Sequence, residues 1–335
     1  MPADLDVFAM GNALVDIEAE ASEERLAEVG IAKSTMALVD LDASNRLVAA
    51  SRVVRRASGG SAANTAVGVA ALGGRAAFVG TVADDELGRA FRADLEQAGV
   101  VFARVDAQGS SASLPTGRCL VLVTPDGERT MATYIGAAGE LGPQDVDLDA
   151  LCSSRIVYLE GYLFDFPSAA EAMKAAIEAG HSAGALLALS ASDPSLVERH
   201  QGILRRILEE DVDLLFANEA EALVLSKTSS VDAAARFVAD VGVVGCITLG
   251  DEGVLVVTPS GISKVPACFV EPVLDTTGAG DLFAAGFLFG MARGADPETS
   301  AAIGCVCAAE VVSHFGARPE ADIADLVAKA GLMPG

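Results

Sequence analysis

The chain has no tryptophan, three tyrosines and only 5% aromatic residues, so no aromatic sandwich for a flat ligand can be read from it. It has five lysines, none in a GxxxxGK[ST] pattern, which excludes a P-loop nucleotide site. Three histidines (His181, His200, His314) without an HExxH pair argue against a zinc enzyme. The six cysteines form no CxxC pair, and most lie in apolar runs such as GCVCAAEVV. Reduced core thiols and a cytoplasmic location are the expectation. The opening MPADLDVFAMGN carries acids and no basic segment, unlike a secretory signal. The most apolar stretches, Leu282–Ala292 and Ala301–Val312, are too short to span a bilayer. Where a dinucleotide fold would place its glycine fingerprint, Met10-Gly11-Asn12-Ala13 stands instead, which disfavours an oxidoreductase.

What is abundant is apolar: hydrophobic residues make up 51% of 335, enough for a large core. One large α/β domain spanning residues 1–335 is expected. The formal net charge of −24 opposes nucleic-acid phosphates and anionic membranes, so neither partner is expected.

Short β-branched runs alternate with alanine-rich helical patterns. The strands are expected at Val7–Met10, Ala76–Val79, Ile156–Leu159, Leu186–Leu189, Leu214–Ala217 and Val243–Thr248. Helices are expected at Ser61–Leu72, Glu86–Ala98, Pro167–Ala179, Ser195–Leu208 and Val231–Ala239. This alternation predicts a doubly wound, mostly parallel sheet flanked by helices. Two regions break it. Ala13–Glu20 and Met36–Asp40 flank a short helix near Ser22, and Gly117–Thr124 and Glu128–Tyr134 are joined by the turn Pro125-Asp126-Gly127. They predict a small separate sheet, inserted at about 13–40 and 112–136, that is either a lid or an edge decoration.

The strongest motif is Asp275-Thr276-Thr277-Gly278-Ala279-Gly280-Asp281, between a strand-like run (Cys268–Leu274) and a helix. Small residues let backbone amides approach an anion, and a helix start favours negative charge there. The anion would be a transferring phosphoryl group, with Asp281 beside it to take the acceptor's proton. An ordinary glycine-rich turn is the competing reading. A second motif, Ser58-Gly59-Gly60-Ser61-Ala62-Ala63-Asn64, joins the strand Arg52–Arg56 to a helix. There Asn64 offers a donor and an acceptor to hydroxyls, or is a surface residue behind a Ser61 cap. A third, Asn218-Glu219-Ala220-Glu221, places Asn218 and Glu221 on one helical face, for a metal–water shell or as a capping box. The fourth, Thr248-Leu249-Gly250-Asp251-Glu252-Gly253, is a turn that admits a nucleotide or a simple hairpin.

In this order, SGGSAANTA and DTTGAGDLFAAGFL resemble the two signatures of the ribokinase-like (PfkB) family of carbohydrate and nucleoside kinases. The resemblance extends from Met10-Gly11-Asn12 to Phe315-Gly316-Ala317-Arg318. It implies a ribokinase-like fold with a small β-sheet lid, ATP and magnesium as cofactors, and a homodimer as an option. It also implies Asp281 as catalytic base and the amides of Gly278, Ala279 and Gly280 as anion hole. Asp16, Gly59, Gly60 and Asn64 would grip the acceptor, and Asn218 and Glu221 would organise magnesium and phosphate. Thr248, Gly250, Gly253 and Ser313 would border the nucleotide. Asp275 and Thr277 match positions near a monovalent-cation (K+) site.

GNALVDIEAE, ERTMATYIGAA, EGYLFD, LALSAS and FANEAEA are similar to the nucleoside-kinase branch. That likeness implies Arg129 over the phosphates, Phe164 near a nucleobase, and adenosine as acceptor. A sugar kinase of the same family, acting on ribose, fructose or a keto-deoxy sugar acid, is the alternative. A non-catalytic sensor would retain Asn64 and the glycines but could lose Asp281.

Overall fold

A computed structural model describes residues 4–22, 24–26, 30–33, 35–103, 112–124 and 128–334. Fourteen strands are seen among them: β1 Leu5–Met10, β2 Leu14–Glu20, β3 Met36–Leu38, β4 Arg52–Gly59, β5 Ala76–Val79, β6 Val101–Phe102, β7 Gly117–Val123 and β8 Arg129–Tyr134. These are followed by β9 Ser154–Glu160, β10 Leu186–Ser190, β11 Leu214–Asn218, β12 Val244–Thr248, β13 Val254–Thr258 and β14 Gly261–Val265.

The main sheet has the order β14-β13-β12-β11-β10-β9-β1-β5-β6. It is parallel from β12 to β6, and β13 and β14 continue it antiparallel. Its central strands are apolar on both faces because helices cover both. Along β1, Val7 and Ala9 face one core, beneath the helices Ser61–Ala71 and Ala279–Ala292. Phe8 and Met10 face the other, beneath Pro167–Ala183 and Pro194–Glu210. Each of the six strands and five helices expected in the alternating region has its counterpart here.

From β1 the chain builds outward to β5 and β6 on one side and to β9 through β12 on the other. The carboxyl ends of β1 and β9 therefore mark a topological switch point, where open α/β sheets leave a crevice.

The second sheet has the order β3-β8-β7-β2-β4. It grows out of that crevice: β2 follows β1 after three residues, and β4 runs through Gly60 directly into the helix Ser61–Ala71. β4 lies outside the two segments expected to form this sheet. Its sequence RVVRRASG alternates more exposed and less exposed positions, and its arginines guard an edge strand against further pairing. The turn 125–127 lies outside the described residues. Cys268–Leu274, expected as a strand, is irregular; Pro272 lacks a ladder donor, and Leu274 N instead donates to Val312 O at 2.9 Å. Among the described residues no helix is long and apolar enough to cross a membrane.

Candidate active site

The helix Ala279–Ala292 starts at Gly278, whose φ of +79° and 2.7 Å approach of a would-be Cβ to Ala317 Cα both demand glycine. The first turn of a helix leaves amides without helical partners. Here Ala279 N donates back to Thr276 O at 3.2 Å. Gly280 and Asp281 line a cavity shared with Asn218, Glu221 and Thr248. Of the expected trio Gly278, Ala279 and Gly280, Ala279 thus already has a backbone acceptor within the turn.

Asp281 is held by the facing helix Ser61–Ala71. Ser61 Oγ donates to Oδ1 at 2.6 Å, Asn64 Nδ2 donates to Oδ2 at 2.9 Å, and Thr65 Oγ1 donates to the Asp281 carbonyl at 3.2 Å. Burial raises the Asp281 pKa; the bonds from Ser61 and Asn64 and the charge of Arg318 pull it back. The entry to the facing helix is as constrained as the first: Gly60 has φ +96°, and a Cβ there would lie 2.1 Å from Asn12 O.

A second cavity lies under the five-stranded sheet, lined among others by Asp16, Ser58, Cys119, Arg129, Met131 and Arg318. Asp16 is raised to about 7 by burial, with Arg318 opposing. A Cβ at Gly59 would meet Asp16 Oδ2 at 2.3 Å, so a larger residue there would push the Asp16 carboxylate aside. Arg129 Nη2 forms an ion pair with Asp275 Oδ2 at 2.7 Å, Nη1 donates to Thr277 Oγ1 at 3.3 Å, and the guanidinium lies 5.7 Å from the Phe315 ring centre. Asp275 Oδ1 also accepts from Thr277 N at 3.0 Å, and Oδ2 from Gly316 N at 2.8 Å. This set does not fit a monovalent cation held directly by the Asp275 carboxylate, because Arg129 already supplies its positive partner. In this arrangement Arg129 braces the second sheet against the anion loop.

Asn218 and Glu221 form a complete capping box. Asn218 N donates to Glu221 Oε2 at 2.9 Å, Asn218 Nδ2 donates to Oε1 at 2.7 Å, and Glu221 N donates to Asn218 Oδ1 at 2.9 Å. The cap does not exclude a second task. Glu221 is buried on the wall of the Asp281 cavity, and burial raises it to about 7, with Asp193 adding to the rise. Both of its oxygens accept from Asn218, and its remaining lone pairs are free to face the cavity. Among the described residues no group of three or more His, Cys, Asp or Glu could ligate a metal. A divalent ion here would have to be carried mainly by ligand phosphates and water, and Glu221 is the cavity carboxylate that could face its water shell.

Two expected residues are not brought to the site. Phe164 is buried in the second core with its ring 6.2 Å from that of His200, and lines neither cavity. Its place on the turn after β9 points it under the helix Pro194–Glu210, where an apolar ring gains more from burial than from a wet cleft. Ser313 is exposed and donates to Glu310 O at 2.6 Å, closing a helix end. Gly250 and Gly253 shape the turn between β12 and β13 beside Thr248.

Sequence reasoning missed Glu160. At the end of β9, its Oε1 accepts from Asn12 N at 3.3 Å and Asn12 Nδ2 at 3.2 Å, and its Oε2 accepts from Ala62 N at 3.0 Å. It ties β1 and β9 to the helix that holds Asp281, and burial raises it to about 7. A carboxylate closing the apolar strand SRIVYLE was the available signal. Arg318 was missed as well.

A buried carboxylate at a helix start, a cavity over the carboxyl ends of β9 to β12 and a second sheet over a second cavity are the arrangement of a ribokinase-like α/β kinase. The chain belongs to the pfkB family of carbohydrate kinases, which matches residues 24–324. It is similar to the adenosine kinase from Sinorhizobium meliloti, at 42% identity and a TM-score of 0.91, covering 98% of this chain and 100% of that one. It is also similar to a probable sugar kinase from Rhizobium etli, at 37% identity and a TM-score of 0.92, covering 98% and 99%. The ATP-dependent ribose-1-phosphate kinase of Halopiger xanaduensis is 32% identical over 286 residues, 83% of this chain and 87% of that protein.

Proposed function

We propose that this kinase transfers the γ-phosphoryl group of ATP to the 5′-hydroxyl of a ribonucleoside, adenosine above others, with Asp281 as base. The observation that carries the reading is that Asp281 lines the cavity shared with Asn218, Glu221 and Thr248 and is linked through Asn64 to Arg318, which lines the cavity that holds Asp16. The carboxylate takes the proton of the attacking hydroxyl, whose oxygen bonds to the γ-phosphorus as the bond to the ADP oxygen breaks. Because phosphoryl transfer is largely positioning and charge stabilisation, the amides of Gly280 and Asp281 and the helix start supply most of what the backbone contributes. Magnesium on Glu221 through water would neutralise phosphate charge. Asp16 and Asn64 orient the acceptor hydroxyls, and Cys119, Val121 and Met131 offer the base an apolar wall.

Glu221→Gln keeps the side chain's size but removes its charge and leaves one of the two Asn218 donors without an acceptor. The magnesium concentration for half-maximal rate should rise about tenfold, with acceptor KM little changed. Unchanged magnesium dependence would restrict Glu221 to capping.

The second sheet acts as a lid, latched to the anion loop by Arg129. Acceptor bound at Asp16 on β2 should increase amide-exchange protection in residues 13–20, 52–59 and 117–123. Equal exchange with and without acceptor would remove the lid role.

A free-sugar acceptor is the second reading, favoured by the absence of any aromatic ring among the residues lining the Asp16 cavity and by similarity to a probable sugar kinase. Initial rates with adenosine, ribose, fructose and a keto-deoxy sugar acid decide between them. Adenosine should lead, and a sugar faster by an order of magnitude or more would transfer the assignment to that sugar.

A further inference from the structure

Arg318 lies in the loop that follows the helix Pro297–Val311 and reaches two other elements. Nε donates to Asn64 Oδ1 at 2.9 Å on the helix Ser61–Ala71. Nη2 donates to Ser58 Oγ at 2.8 Å and to Ser58 O at 3.3 Å on β4. Ser58 Oγ in turn donates to Asp94 on the helix Glu86–Gln97. The loop is pinned from behind: Gly316 N donates to Asp275, and Glu310 Oε1 accepts from Glu320 N at 2.9 Å and Ala321 N at 2.7 Å. The guanidinium therefore has a fixed position at both ends.

An amide side chain accepts at one end and donates at the other, and its partners decide which end points where. With Arg318 on Oδ1, Asn64 must present Nδ2 to Asp281 Oδ2. Turned over, it would set donor against guanidinium and acceptor against carboxylate, two buried mismatches. Arg318 thus determines which atom of Asn64 meets Asp281.

We infer that Arg318 is a positioning residue for phosphoryl transfer, orienting Asn64 against Asp281 and holding a positive charge between Asp281 and Asp16. The inference rests on the base role proposed for Asp281. The charged groups facing Arg318 are Asp16 on β2, Asp94 on Glu86–Gln97 and Asp281 itself. Asp281 also lies close enough to affect Glu160 and Tyr158 on β9 and Tyr162 on the following turn. Asp16 additionally faces Glu18, Arg129 and Cys119. Arg318 opposes the rise that burial imposes on both Asp16 and Asp281. Removing the cation raises both carboxylates further, and a base must be ionised to act. The acidic limb of the rate profile should therefore move to higher pH.

The test is steady-state kinetics across pH on Arg318→Lys and Arg318→Met, with Asp281→Asn measured alongside. Lysine retains the charge and loses the fixed bond to Asn64. Its kcat should fall about tenfold, equivalent to one hydrogen bond, with the acidic limb in place and ATP KM unchanged. Methionine loses both contributions, so its kcat should fall further and its acidic limb should move up by about one pH unit. Should the methionine variant fail to fold, the lysine variant alone decides. A folded lysine variant with wild-type kcat overturns the inference, as does a methionine variant that loses melting temperature with an unshifted limb. An inactive Asp281→Asn beside unaffected Arg318 variants removes only this inference. An active Asp281→Asn removes the base reading itself.

Discussion

Asp281→Asn should lower kcat by about 10²–10⁴-fold, the usual contribution of a general base, while ATP and acceptor bind as before. The local geometry accommodates the substitution. An asparagine can turn its oxygen to Asn64 Nδ2 and its amide to Ser61 Oγ, which accepts as readily as it donates, so both contacts to the facing helix survive. What is lost is the ability to take a proton beside the Gly280 amide. Pre-steady-state mixing with acceptor and ATP separates the effects: binding amplitudes should persist and the transfer step should vanish. Activity within a few-fold of the parent would remove Asp281 from the base role.

Asp16→Ala should lower kcat/KM for adenosine by about 10⁴-fold, and 2′-deoxyadenosine should be nearly as poor a substrate for the parent enzyme. A site that bonds hydroxyls strongly rejects analogues lacking them, because its own buried polar groups are left unpaired. Asp16 suits a cis-diol: it accepts at two oxygens, sits against Gly59 with no room for a side chain between, and faces Arg318. With alanine at this position, the preference for ribose over 2′-deoxyribose should fall to within a few-fold. A variant that still prefers adenosine by the original factor would mean that the 2′-hydroxyl is read elsewhere. The fold should tolerate the change, since Arg318 keeps its bonds to Asn64 and Ser58.

The helix-and-strand alternation was legible because parallel strands buried on both faces, such as β1 and β9, leave short apolar runs between helices of strong period. The second sheet was legible only where hairpin chemistry marked it. Arg52–Gly59 belongs to it too, yet three arginines in eight residues read as a surface strand of no stated sheet, and pairing with β2 is a long-range property. The turns that carry the motifs were readable because small residues followed by an acid mark a helix start. Arg318 and Glu160 were not, because each works through contacts more than 90 positions away: Asn64 for Arg318, and Asn12 and Ala62 for Glu160. Phe164 shows the opposite failure. Likeness to a nucleoside-kinase stretch put it at a base, while its own burial among apolar neighbours put it in the core. Local motifs report backbone conformation, whereas side-chain partnership is settled by packing.

The measurement that bears most directly on the account is identification of the product formed from ATP, magnesium and adenosine. Proton–phosphorus correlated magnetic resonance reads the position of the new ester without any assumption about mechanism. The account predicts stoichiometric ADP and a phosphomonoester coupled to the two 5′ methylene protons of the ribose, absent with Asp281→Asn. A phosphoester at another hydroxyl, or ATP consumed to free phosphate with the nucleoside unchanged, would contradict it.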